Sequence, residues 1–175
     1  RAMSPKWSPD GKWISFIAQE TQHEELYFIK PNGDGLHQVT KDNQDIFQYE
    51  WSPDGKNILA VVNKNGSFEL MLIAVSPLGE TESGSKSALR SEAGIHSNPN
   101  WSKDGSFITF EFESPLLPPD IYRMDLKSRK VTQLTFSSSP ALQKNKFVLP
   151  EVVHYKSYDE LEIPAYLYRP EKSNG

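Results

Sequence analysis

Ser83 and Lys86 stand at the S-x-x-K spacing that some acyl-transfer enzymes use to bring an amine beside a nucleophilic hydroxyl. The pair works where a helix start carries the lysine back over the serine. Here it lies in a Gly- and Ser-rich stretch, LGETESGSKS, so no acyl transfer is expected from it. His23-Glu24-Glu25 sets two carboxylates beside an imidazole, a grouping that could grip a substrate amine, but it sits at a hairpin entry where solvated charge is expected. His23, His37, His96 and His154 are scattered, with no H-x-x-x-H spacing that would suit a metal. Asp10, Asp42, Asp45, Asp54 and Asp104 do not fall at the spacing of a calcium cage. No cofactor or metal site is expected.

Three of those aspartates, Asp10, Asp54 and Asp104, share one local setting, and that setting organises most of the chain. The pentapeptide WSPDG runs from Trp7 to Gly11, returns from Trp51 to Gly55, and returns as WSKDG from Trp101 to Gly105. The tryptophans are 44 and 50 residues apart, a period at which internal repetition means propeller blades or solenoid units. Ser-Pro-Asp-Gly reverses the chain: proline presets φ, aspartate bonds back to nearby N–H groups, and glycine takes a positive φ. Lys103 replaces proline in the third copy, which a type I turn tolerates.

Each unit predicts four strands around that turn. The first strands end at the tryptophan (2–7, 46–51, 97–101) and the second follow the turn (13–18, 57–62, 107–112). The third fall at 26–29, 68–74 and 121–126, and the fourth at 36–40, 87–89 and 131–135. ISFIA, ILAVV and LMLIAV are apolar at adjacent positions, which requires both faces of the strand to be covered. Tandem four-stranded antiparallel sheets covered on both faces are propeller blades, with the tryptophans as apolar wedges between neighbours. The predicted fold is all-β, a partial β-propeller of about three four-stranded antiparallel blades, at about 1–40, 45–90 and 96–136. Trp7, Asp10, Gly11, Trp51, Asp54, Gly55, Trp101, Asp104 and Gly105 are thereby assigned to architecture and not to chemistry.

The 175 residues are 37% hydrophobic and 11% aromatic, enough for a packed core. A net charge of −4 without any run of Lys and Arg argues against nucleic acid as a partner. No stretch approaches the ~18 apolar residues of a spanning helix, so no membrane partner is expected. The chain has no cysteine, which removes thiolate ligands, disulfides and cysteine nucleophiles, and suits a cytoplasmic better than a secreted location. Position 1 is arginine and the chain opens inside a repeat, as expected of a piece of a longer polypeptide. Closed propellers have about four to eight blades. The open faces of a three-blade arc are therefore expected to drive self-association, with two arcs pairing.

The pattern W-S-P-D-G-K-x-I, an L-Y-x-I-like strand and a closing Q-x-T resembles a propeller repeat over residues 1 to about 136. That repeat is shared by TolB-like proteins and the N-terminal domains of prolyl oligopeptidase family serine peptidases. Past Phe136 the repeat stops. A polar linker (137–149) leads to FVLPEVVHYKSYDELEIPAYLYRP, which predicts a hairpin with strands at 152–156 and 161–168 about a turn at 157–160.

This tail resembles the junction where those peptidases enter their catalytic α/β-hydrolase domain. Pro150, Glu151, Val153, Tyr155, Ser157, Asp159, Ile163, Pro164, Leu167, Tyr168 and Pro170 match it, and Glu160 stands where the family usually has glycine. Pro118-Pro-Asp-Ile-Tyr122 is similar to that family's last blade, the acylaminoacyl-peptidase and dipeptidyl-aminopeptidase branch looking nearest. The resemblance implies that 150–175 is a β-hairpin from the start of a truncated α/β-hydrolase domain. It also implies a full-length serine peptidase that acts on short peptides through a Ser-His-Asp mechanism, its propeller admitting substrate by size. No G-x-S-x-G elbow occurs in the chain, so nucleophile, oxyanion hole and triad are expected beyond Gly175 and the chain itself is expected to be inactive. The alternative is a TolB-like propeller serving as a non-catalytic protein-binding module, which leaves the tail without a role.

Overall fold

The computed structural model describes residues 1–20, 22–64, 66–75, 86–90, 92–138 and 147–170. Fourteen strands and no helix occur among them. The first blade is an antiparallel sheet of β1 (Ala2–Trp7), β2 (Ile14–Ala18), β3 (Glu25–Ile29) and β4 (His37–Gln38), in chain order. The second holds β5 (Ile46–Trp51), β6 (Asn57–Lys64), β7 (Ser67–Ala74) and β8 (Lys86–Arg90). The third holds β9 (Ile95–Trp101), β10 (Phe107–Ser114), β11 (Leu117–Asp125) and β12 (Val131–Gln133). One parallel bridge, Phe68 to Ile95, joins the second and third sheets, with the Phe68 N–H donating to the Gly94 carbonyl at 3.0 Å.

The alternation of side chains along β6 explains how the blades stack. Ile58, Ala60 and Val62 enter one buried cluster with Ile17, Leu26 and Phe28 of the first blade. Leu59 and Val61, pointing the other way, enter a second cluster with Ile108, Phe110 and Met124 of the third. A strand with five successive apolar residues, Ile58 to Val62, therefore has a blade on each side, as its sequence requires. Each fully buried aliphatic side chain contributes about 1.5–3 kcal/mol relative to leaving it in water, so the two inter-blade cores are the main stabilisation of the arc.

The fourth strands of the first and third blades are shorter than the sequence predicts, while that of the second, β8, extends one residue further at each end than the expected 87–89. β4 stops at Gln38 and β12 at Gln133 because Thr40 and Thr135 leave the ladder and turn inward. Each threonine hydroxyl binds a buried carboxylate of the third strand: Thr40 to Glu25, and Thr135 to Asp120 at 2.7 Å. Each also accepts the next backbone N–H, from Leu26 at 3.0 Å and Ile121 at 2.9 Å. The motif ties the end of the fourth strand to the third by side-chain bonds beside the backbone bonds from Val39 to Leu26 at 2.7 Å and from Leu134 to Ile121 at 2.8 Å.

The tail forms its own two-stranded sheet, β13 (Glu151–Lys156) with β14 (Glu162–Leu167), and Val153 lies opposite Ala165. Glu160 adopts φ 64°, the left-handed conformation for which the related glycine would be the easier residue. The hairpin stays largely exposed, with Tyr155 at 55% and Leu161 at 63%.

Candidate functional site

The WSPDG turns are built alike in all three blades. The glycine N–H donates to the serine carbonyl at 2.9 Å in the first two and 3.0 Å in the third, with glycine φ of 70, 70 and 71°. The serine side chain is the hub. Ser8, Ser52 and Ser102 each donate to the aspartate two residues on, at 2.7, 2.6 and 2.6 Å. Each also accepts the backbone N–H five residues on, at 3.0, 2.9 and 2.9 Å. The aspartate accepts a second bond, 3.1 Å long, from the N–H of Lys12, Lys56 or Ser106. These bonds favour the ionised carboxylate. The Ser8 and Ser52 hydroxyls hold Asp10 and Asp54 below the usual range, while Ser102 and then Ser106 bring Asp104 down to about 2. A carboxylate so committed is not a general base.

The turns also touch one another. A Cβ placed on Gly55 would lie 3.6 Å from Pro9 Cδ, and one on Gly105 would lie 3.8 Å from Pro53 Cδ. Each proline ring thus lies over the glycine of the next blade's turn. The tryptophans reach the other way. Trp51 stacks on Phe28 of the preceding blade at 5.1 Å and donates its indole N–H to Ser15 at 2.8 Å. Trp101 joins the cluster between the second and third blades, its indole N–H 3.4 Å from the Glu50 carbonyl oxygen. Trp7 has no such neighbour within this chain's blades and is 59% exposed.

The first strands, β1, β5 and β9, run beside one another and display polar residues three positions before each tryptophan: Ser4, Gln48 and Asn98. The Asn98 N–H donates to Gln48 Oε1 at 2.7 Å, the Tyr49 hydroxyl donates to the Ser4 carbonyl at 2.6 Å, and Lys6 pairs with Glu50. Ser4 and Asn98 have φ of 55 and 48°, within bulges of β1 and β9. Together they border an open cleft of about 180 Å³. A second cleft of about 400 Å³ lies between the turns of the second and third blades, lined by Leu72, Trp101 and Lys103. Both offer hydrogen bonds and apolar surface, without a nucleophile held by a base.

The remaining reactive-looking residues are not gathered into a site. His23 Nδ1 lies 3.3 Å from Asp45, which also accepts the Glu24 N–H at 2.9 Å. Glu25 is buried under Thr40 and accepts the Asn43 N–H at 3.1 Å, so it cannot grip a substrate amine. Asp42 pairs with Lys86, while Ser83 lies outside the described residues. His37 bonds the Gly35 carbonyl at 2.8 Å, and His154 sits on the exposed tail hairpin opposite Pro164. His96 is fully buried, with Nδ1 2.7 Å from the Phe68 carbonyl and Nε2 without a hydrogen bond; burial pushes its pKa down. Among the described residues no group of three or more His, Cys, Asp or Glu could hold a metal.

Two sets of residues escaped the sequence reading. One is the serine hub, whose signal was its presence in all three pentapeptides. The other is the buried acid Glu25, Glu69 or Asp120, always followed by an aliphatic residue eighteen or nineteen positions after the tryptophan. Both were visible once the copies were aligned by residue and not only by motif.

A model of the TolB beta propeller domain matches residues 1–150 of the chain. The uncharacterized peptidase YuxL of Bacillus subtilis (strain 168) is 26% identical over 160 residues, covering 71% of this chain and 24% of YuxL. The chain thus spans about a quarter of that curated relative. Among solved structures, TolB from Acinetobacter baumannii is 25% identical with a TM-score of 0.64, over 99% of this chain and 39% of that one. A puromycin-hydrolyzing peptidase of Mycobacterium tuberculosis is 16% identical with a TM-score of 0.72, over 97% of this chain and 27% of that one. At that identity the likeness is one of fold.

Proposed function

The chain belongs to the TolB beta propeller domain family, and from that premise we propose that its blades are the substrate-admitting propeller of a serine peptidase that hydrolyses short peptides. The observation that carries the reading is the tail. Among the described residues β13 and β14 pair only with each other, and they present Val153, Tyr155, Ile163, Ala165 and Leu167 on one face with Glu151 at its end, a mainly apolar surface suited to lie against a further domain. The peptidase YuxL, matched across most of the chain, supports the same reading. In it the blades do no chemistry. Their turn carboxylates are committed to backbone, and their clefts offer hydrogen bonds that could guide an extended peptide while excluding a folded one.

The test has two parts. The coding sequence following Gly175 should contain a G-x-S-x-G elbow, and its absence would sink the proposal. The chain alone should resist labelling by a serine-reactive fluorophosphonate, and stoichiometric labelling would show a nucleophile within it.

A second reading, a non-catalytic protein-binding propeller, is favoured by the near-complete coverage of this chain by the Acinetobacter TolB structure. Capture of one stable protein partner, in a gene without a hydrolase elbow, would promote it.

A further inference from the structure

We propose that the cleft between the second and third blades binds an uncharged planar aromatic group with a hydrogen-bonding edge, such as an indole or a phenol. The two junctions inside the molecule are built from one repeat, and only one of them is filled. Six positions after its tryptophan the first blade has Trp13 where the second has Asn57. Twenty-one positions after it, the first has Phe28 where the second has Leu72. On the fourth strands, His37 lies opposite Phe28 and Ser87 lies opposite Leu72. The three rings of the first blade pack together: Trp13 and Phe28 have centroids 6.2 Å apart, and His37 meets them edge-on at 5.3 and 5.8 Å. Trp51 of the next blade lands on this set, 5.1 Å from Phe28. The second blade has no ring at any of the three positions, and Trp101 shares with Leu72 a cleft of about 400 Å³.

The space is left by the residues of two neighbouring blades. All four strands of each are described, and every lining residue belongs to them. Its volume falls within the roughly 300–1,000 Å³ common for small-ligand sites. Trp101, Leu72 and Leu126 supply apolar surface, and a second ring stacks offset on an indole face. Asn57 borders them with an amide that can donate or accept, its own backbone N–H tied to Ser52 Oγ at 2.9 Å. The rim selects against charge of either sign. Asp54 and Asp104, held ionised by their turns, repel an anion. Their oxygens are engaged by Ser52, Ser102 and Ser106, so a cation gains little from them, and Lys103 repels it. The group that fits is the uncharged ring that the first blade supplies from its own chain. The inference goes beyond the peptidase reading and holds equally for a protein-binding propeller.

Fluorine NMR of the full-length protein labelled with fluorotryptophan tests it, the Trp101 signal being assigned by its loss in Trp101→Phe. Titrated indole should move that signal saturably and leave those of Trp7, Trp13 and Trp51 in place. Tryptamine and indoleacetate, the cationic and anionic counterparts, should bind at least about threefold more weakly. Asn57→Trp and Leu72→Phe each restore a ring of the first junction to the second. Both should keep the circular dichroism spectrum and weaken indole binding at least about tenfold. N-acetyltryptophanamide separates the sources of the ring: binding as tight as indole's supports the site as one for a peptide side chain, and weaker binding supports it as one for a free aromatic molecule. A Trp101 signal that stays in place up to the solubility limit of indole overturns the proposal. So does tighter binding of either charged counterpart, or indole binding that survives both ring-restoring substitutions.

Discussion

The interface between the first and second blades and the one between the second and third are built from the same repeat but held differently. The first is fastened by directional bonds. Trp51 is stacked on Phe28 and bonded to Ser15, Tyr49 reaches the Ser4 carbonyl, and Lys6 pairs with Glu50. The second is bonded away from its tryptophan, by the Asn98 N–H to Gln48 at 2.7 Å and the Phe68 N–H to the Gly94 carbonyl at 3.0 Å, over a core of Leu59, Val61, Ile108 and Phe110. Its tryptophan makes only a 3.4 Å contact with the Glu50 carbonyl oxygen, and its buried imidazole, His96, leaves one nitrogen unsatisfied. One repeat therefore yields a junction bonded through its tryptophan and another bonded through the strands beside it. They should fail under different insults.

The tryptophans should separate the junctions most strongly. Trp51→Ala should cost about 3–5 kcal/mol in urea unfolding, and Trp101→Ala should fall toward the lower end of that range because it forfeits less bonding. Trp7→Ala should change the stability of a monomer by no more than about 0.5 kcal/mol. Equal losses at Trp51 and Trp101 would remove the distinction between the junctions.

Gly94→Ala should strike the second junction alone. A Cβ there would lie 2.7 Å from the Phe112 ring, with the Glu113 carbonyl oxygen closer still, beside the parallel bridge between the two sheets. A loss of roughly 2 kcal/mol or more is expected by the same assay. A neutral Gly94→Ala would mean that the bridge gives way without cost.

Acid should act on the second junction and on the turns in successive windows. His96 has its folded pKa lowered from 6.5, so its burial is tolerated fully above pH 6.5, and stability is lost as pH falls from there toward the folded pKa. Around it are Glu92, 3.8 Å from Nε2, and Arg90 and Glu69. The turn aspartates are also lowered, from 3.8, and Asp104 to about 2. Their stabilisation is present above pH 3.8 and is lost as pH falls through the folded values. Thermal melts should show both phases in wild type, and His96→Gln should abolish the upper one only. An upper phase that persists in His96→Gln would assign it elsewhere.

The smallest effect is expected at the third turn. Lys103→Pro should raise stability by about 0.4–1 kcal/mol, since proline suits the position and restricts the unfolded chain.

Much of the fold was legible because its signals are local. The WSPDG turns, the strands flanking them and the apolar runs of β6 and β7 each follow from residues a few positions apart. The fourth strands were legible only in part. Thr40 and Thr135 read as strand residues until their partners, fifteen positions back, are seen to be buried acids. The dismissal of His23-Glu24-Glu25 as a substrate clamp rested on solvated charge, whereas Glu25 is in fact buried and bonded.

By itself the sequence determined that the chain is a tandem of antiparallel blades opened by Ser-Pro-Asp-Gly turns, because φ preferences and period-two burial act over a few residues. Only the tertiary structure decided what each repeat residue touches. Trp51 meets Phe28, Pro9 covers Gly55, and Thr109 lies across from Arg123, because these pairings join strands or blades whose packing depends on shapes no local pattern encodes.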